Sequence, residues 1–185
     1  MTFYLRRWLS GLVTVLASGA FAETPAPVAG AGIVLQSIGV YCSPEIAGTE
    51  AAPDTELGYI NLMTAPPEFI FRQTDVPARL GLSFGILIVA DRDIANVRVL
   101  TWKPGATDPE SWTTDIVAGE PKLRGFVFEY ENELIPGPWR MEAYDGDTQL
   151  YSVTFEVLPG SELPSVTSNC DLLSSGGHEA GMIRA

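Results

Sequence analysis

Three carboxylates alternate at Glu129, Glu131 and Glu133, running from the polar face of a candidate strand into the corner that follows it. Alternate strand residues lie about 7 Å apart, within the roughly 5–10 Å that glycosidase carboxylate pairs span. A hydrolase built on this face is therefore one reading of the chain. Any exposed acidic strand has the same spacing, and no G-x-S-x-G, H-E-x-x-H, phosphate loop or dinucleotide fingerprint accompanies it. Asp91 and Asp93 form one acidic turn, Asp145 and Asp147 a second. Calcium takes about six to eight oxygens, and each D-x-D supplies only a few. Turn chemistry accounts for both pairs. One histidine, His178, and two cysteines leave zinc without a ligand set. The reading assigns no catalytic residue, no metal and no cofactor.

The two cysteines, Cys42 and Cys170, read as a disulfide if the chain is exported. A catalytic thiol needs an activating base, and His178 sits in a Gly/Ser-rich tail. The bridge would close most of the chain into one loop, worth roughly 4–5 kcal/mol in the chain-entropy account.

Export is read from the N-terminus. Arg6 and Arg7 precede an apolar run, Trp8–Ala17, and Ala20-Phe21-Ala22 forms an A-x-A site. Residues 1–22 read as a signal peptide cleaved between Ala22 and Glu23. The apolar run is about half of the ~20 residues a bilayer span needs, so no membrane span is expected after cleavage. The protein is expected in the periplasm or secreted. The chain carries 11 basic and 23 acidic residues, a net charge of −12. Loss of Arg6 and Arg7 makes the mature chain more acidic still. Such a surface repels phosphate backbones, which excludes nucleic acid as a partner class.

The elements that would position these groups are strands. Residues 23–32 (ETPAPVAGAG) read as a flexible leader. Ile33–Cys42 reads as a strand with Val34, Ile38, Val40 and Cys42 on one parity. Ser43–Leu57 reads as a loop. Tyr59–Met63 and Glu68–Gln73 read as short strands around a double proline. Arg79–Ala90 is the best core strand, with Leu80, Leu82, Phe84, Ile86 and Ile88 on one face. Asn96–Lys103 follows. Pro104–Thr114 reads as a loop, with Trp102 and Trp112 flanking it. Exposed loop aromatics stack on sugars or anchor a partner, so these two are the candidate ligand contacts.

Gly125–Glu131 alternates Phe126, Phe128 and Tyr130 against polar residues. Trp139–Tyr144 and Tyr151–Val157 form a hairpin around Asp145-Gly146-Asp147. Trp139, opening a strand after Pro-Gly-Pro, reads as a core plug. No amphipathic helical period appears past the signal peptide. The pattern is all-β: an immunoglobulin-like antiparallel sandwich of seven to nine strands over residues 33–172, with a flexible tail at 173–185.

The segment Ile135-Pro136-Gly137-Pro138-Trp139, the D-G hairpin and Phe155-Glu156-Val157 resemble the C-terminal half of an uncharacterised bacterial domain-of-unknown-function family. Ile38-Gly39-Val40-Tyr41 and Leu82-Ser83-Phe84-Gly85-Ile86 resemble its first-strand "G-x-Y" and its "F-G" strand. The resemblance covers about residues 33–158 and implies an immunoglobulin-like fold, with no activity to carry over. Cys42, Cys170 and residues 43–57 lie outside its pattern.

Together these readings point to a non-enzymatic binding or interaction module of the bacterial envelope, with an envelope protein or a glycan as partner. The alternative is a carbohydrate-binding module using Trp102 and Trp112. The hydrolase built on Glu129, Glu131 and Glu133 is the third reading.

Overall fold

The computed structural model describes residues 24–42, 45–168 and 170. The segment expected to be a signal peptide, its expected Ala22/Glu23 junction and the tail with His178 lie outside the described residues.

The described chain is a two-sheet sandwich of immunoglobulin-like, all-β architecture. Its eleven strands are β1 (Val28–Ala29), β2 (Ile33–Cys42), β3 (Ile46–Ala51), β4 (Tyr59–Met63), β5 (Asp75–Pro77), β6 (Leu82–Ala90), β7 (Ile94–Trp102), β8 (Glu110–Ile116), β9 (Lys122–Val127), β10 (Gly137–Asp145) and β11 (Thr148–Leu158). One sheet runs β1-β11-β10-β7-β8, with β5 lying parallel to the far end of β11. The other runs β2-β6-β9, and β3 pairs with β4 as a separate hairpin.

Alternating apolar residues on the two inner faces make the core. Phe84 of β6 lies 5.0 Å from Phe155 of β11 and 5.8 Å from Trp139 of β10, ring centroid to ring centroid. Those contacts cross the gap between the sheets. Trp139 is fully buried and donates its indole N–H to the Ile135 carbonyl at 2.8 Å. Its expected role as a core plug holds. The β10–β11 hairpin turns at Gly146 (φ 56°), where a left-handed residue is needed.

Several elements depart from the sequence expectation. The leader supplies β1, which pairs Val28 with Ser152 and Ala29 with Tyr151. In β2 a bulge between Leu35 and Ser37 resets the alternation. Ile33, Val40 and Tyr41 are buried, and Val34 is exposed. Leu80 falls before β6 and is exposed as well. Residues 68–73 contribute a single bridge, Val40 to Phe71. Within the expected loop 43–57 lies β3, and the end of the expected loop 104–114 is β8. Tyr130 turns outward at the start of a 3₁₀ turn, Glu131–Glu133. A short helix at 164–168 packs Val166 into the core.

Gly39, Gly85 and Gly125 face one another across β2, β6 and β9. A Cβ on Gly39 would overlap the Phe71 carbonyl, and one on Gly125 the Tyr41 hydroxyl. The bare row lets Tyr41 and residues 69–71 lie against the sheet face opposite the core. Cys42, at the end of β2, is disulfide-bonded to Cys170, with 5.2 Å between their Cα atoms. Among the described residues, no helix is long and apolar enough to cross a membrane.

Candidate functional site

The two sheets are closed differently on their two sides. Where β11 ends one sheet, β1 and β5 cap its edge. On the opposite side β8 and β9 are the last strands, and no strand pairs either one further among the described residues. The β3–β4 hairpin lies over the gap between them. Beneath it is a groove of about 450 Å³. Glu110, Trp112 and Thr114 of β8 form one wall, and Arg124 and Phe126 of β9 the other. Tyr59 and neighbouring residues of β4 form the roof.

β8 exists because Trp112, Thr114 and Ile116 alternate with Ser111, Thr113 and Asp115, and β-branched threonines suit a pleated edge. Val99 faces Trp112, and Thr101 faces Glu110 across the pair. That register turns Glu110, Trp112 and Thr114 inward. The roof is tied down by polar contacts. Glu56, in the connection between β3 and β4, accepts from Lys103 at 2.5 Å and from Asn132 at 2.8 Å. Ser111 N–H donates to the Asp54 carbonyl at 3.1 Å, and Asn61 Nδ2 donates to Glu129 at 3.1 Å.

Lys103 stands at one end of this region. Its ammonium pairs with Glu110 at 2.5 Å as well as with Glu56. It also lies over the rings of Phe126 and Trp139, 5.2 and 5.6 Å from their centroids. Burial pulls its pKa down, but the hydrogen bonds to Glu110 and Glu56 outweigh this and hold it above the ordinary lysine value.

Arg124 is the unusual member. It is opposite Ile86 in the β6–β9 pairing and faces the core side of the sheet. Only 9% of it is exposed. Its Nη1 donates to the Leu123 carbonyl at 2.9 Å. Nε and Nη2 have no hydrogen-bond partner among the described residues. Burial lowers its pKa from the usual arginine value, and the neighbouring Tyr151 raises it in part. Tyr151, in the facing sheet, is wholly buried and its phenol is pushed up to about 12 by burial. Sequence reasoning passed over Arg124. The available signal was a cation at an inward position between Lys122 and Phe126.

The structure separates the residues singled out in the sequence. Trp102 and Trp112 sit on adjacent strands but on opposite faces of the sheet, since Trp102 shares the parity of Leu100, which faces Ser111. Neither lies on a loop. They form no common platform. Trp102 lines a shallow depression on the outer face with Arg98, Arg140, Glu142 and Tyr144. Its N–H donates to Glu142 at 2.9 Å, and the Arg140 guanidinium lies 5.1 Å above its ring. One face of the indole is thus already taken.

The three glutamates diverge in the same way. Glu133 is 3% exposed and its Oε2 accepts from the N–H groups of Glu129 and Tyr130, at 2.6 and 2.8 Å. Burial raises its pKa, and those two backbone bonds oppose the rise. Glu129 is held by Asn61. Glu131 is exposed. The acidic turns do approach each other, with Arg92 between them, 3.8 Å from both Asp91 and Asp145. Asp93 caps the Ala118 N–H at 2.8 Å. Among the described residues, no group of three His, Cys, Asp or Glu is placed to hold a metal.

A family model described as a domain of unknown function, DUF3859, matches residues 32–157. No curated protein matches the chain. Among solved structures, an immunoglobulin-like protein from Pseudomonas aeruginosa is similar over 74% of this chain and 100% of its own, at 18% identity and a TM-score of 0.48. A β-glucosidase from Listeria innocua in complex with glucose is similar over 63% of this chain and 22% of its own, at 14% identity and a TM-score of 0.27.

Proposed function

This chain belongs to the DUF3859 family, and from that premise we propose that it is a non-enzymatic binding module acting outside the cytoplasm, with the β8–β9 groove as its site. One observation carries the reading. At this edge the sandwich keeps a roofed groove whose walls combine apolar area with a few convergent polar groups. That composition and a volume of about 450 Å³ suit a ligand site.

The Cys42–Cys170 bridge supports an oxidising compartment, and with the N-terminal A-x-A pattern it supports export. The binding reading is favoured over hydrolysis because Glu133 spends its carboxylate on backbone N–H groups and Glu129 is tied to Asn61. The recognised molecule is a component of the envelope, a glycan or an exposed part of an envelope protein.

An NMR titration tests this. The oxidised mature chain, labelled with ¹⁵N, is mixed with the low-mass fraction of an envelope extract and with defined sugars and acids. Amides of residues 110–114 and 122–127 shift together, and the added compounds are recovered unchanged. Shifts confined to another surface, or consumption of a compound, would overturn the reading.

A further inference from the structure

We propose that the outer face of the β7–β10 pair docks an acidic, extended peptide segment of a protein partner, held at two points by Arg98 and Arg140. This surface is separate from the β8–β9 groove: Ser111 lines the first and Trp112 the second.

Arg98, Leu100 and Trp102 share one parity of β7, and β10 sets Tyr144, Glu142 and Arg140 opposite them in that order. All six line the depression on the outer face. The two arginines therefore stand at its diagonal corners, four residue steps apart along the strands, about 13 Å. Leu100 lies between them and is nearly covered.

Each cation is seated over an aromatic ring. The Arg98 guanidinium lies 5.5 Å from the Tyr144 ring centroid, and that of Arg140 lies 5.1 Å from the centroid of Trp102. The rings are fixed in turn. Trp102 donates its N–H to Glu142 at 2.9 Å, and the Gln149 amide donates to the Tyr144 hydroxyl at 3.0 Å. A ring engages the face of a guanidinium and leaves the in-plane N–H fork for a carboxylate.

Internal acids do not occupy those forks. Among the described residues Arg98 has no acid within ion-pair distance. Arg140 pairs with Glu142 through Nε alone, at 3.1 Å, so its two outer nitrogens stay open. Glu142 is 7% exposed and also accepts from Trp102, Gln149 and Ser152, so its charge is spent inside the sheet face. Asp108, the other acid of the depression, accepts from the Thr107 hydroxyl. By contrast Arg92, Lys103 and Lys122 each have an acid within 4 Å.

The same observations favour a peptide over a glycan. A sugar gains most from laying its C–H side on an uncovered ring, and one face of each ring here already carries a guanidinium. Carboxylates match the open forks instead. An extended chain advances about 3.3 Å per residue, so acids four positions apart span both arginines. The net charge of −12 repels a dense polyanion and leaves a segment with few, spaced acids as the occupant.

NMR on the oxidised mature chain tests this with a capped seven-residue peptide bearing glutamates at its second and sixth positions. The controls are the same peptide with glutamines, one with adjacent glutamates, and a galacturonate trisaccharide. Saturable shifts are expected at amides of residues 98–102 and 140–144 with the first peptide. The glutamine peptide gives none, and adjacent glutamates bind more weakly. Arg98→Gln weakens the first peptide about fivefold or more, and the double variant with Arg140→Gln abolishes binding. Arg98 is exposed, so its single variant keeps the wild-type thermal midpoint and decides the matter even where the double variant is destabilised. Unchanged affinity in Arg98→Gln, equal binding of the glutamine peptide, or no shift with any peptide overturns the proposal. Tighter binding of the trisaccharide overturns it in favour of a glycan. Shifts confined to residues 122–127 overturn it by moving the peptide to the groove, whose own reading stands apart from every other outcome.

Discussion

Lys103 and Gly125 illustrate how single side chains are constrained here. The Lys103 ammonium is held by two carboxylates and two ring faces, with 11% of its side chain exposed. Lys103→Met leaves Glu110 partly buried without its cation, so a loss of about 2–3 kcal/mol is expected. Because its pKa is raised on folding, its contribution is complete below the ordinary lysine value. It is lost as pH rises through the elevated one. Urea unfolding of wild type and Lys103→Met should therefore differ most near neutral pH and converge in strong alkali. Gly125→Ala places a methyl where the Tyr41 hydroxyl lies, and a cost of about 1–3 kcal/mol follows from overpacking. Combining it with Tyr41→Phe should restore part of that loss in a double-mutant cycle. Trp139→Ala empties the aromatic centre and should cost about 3–5 kcal/mol. Trp139 was readable in advance because Pro-Gly-Pro fixes where its strand begins. Arg124 was not, because nothing local marks a buried cation.

The β3–β4 hairpin is the element on which the groove depends. It exposes Ile46 and Leu62 and is joined to the sandwich by Glu56, Asp54 and Asn61. Few buried apolar contacts and several polar ties describe an element of low local stability. Glu56→Ala removes the ties to Lys103 and Asn132 together. Amide exchange should then quicken in residues 46–51 and 59–63 while β6 and β10 keep their protection. An equal acceleration throughout would show that the hairpin opens only with global unfolding. β4 was legible from Tyr59–Met63. β3 was not, because Ile46–Ala51 has no apolar alternation and is mostly exposed. Its strand conformation comes from pairing with β4. β8 was hidden for a different reason: Pro104, Gly105 and Pro109 precede it, and the turn signal masked the alternation that follows.

Over the whole molecule, the Cys42–Cys170 bridge ties the end of β2 to helical Cys170, close after residues 164–168. It closes a loop of 128 residues in separation. Its removal by Cys42→Ser with Cys170→Ser should cost about 4 kcal/mol by chain entropy, read as a lower urea midpoint. An unchanged midpoint would mean that the C-terminal segment is held by the packing of Val166 alone.

The sequence by itself determined the all-β class, the β10–β11 hairpin, the aromatic core and the cysteine pair. Each follows from local alternation, turn residues or composition, which need no knowledge of distant neighbours. Tertiary structure decided which face each tryptophan takes, because a strand's parity has no meaning until its register with β7 is set. It also decided that two of the three glutamates are held by hydrogen bonds, and that Arg124 is buried beside Tyr151 of the facing sheet. Those facts depend on residues far apart in the chain, brought together only when the β3–β4 hairpin roofs the open edge of the sandwich.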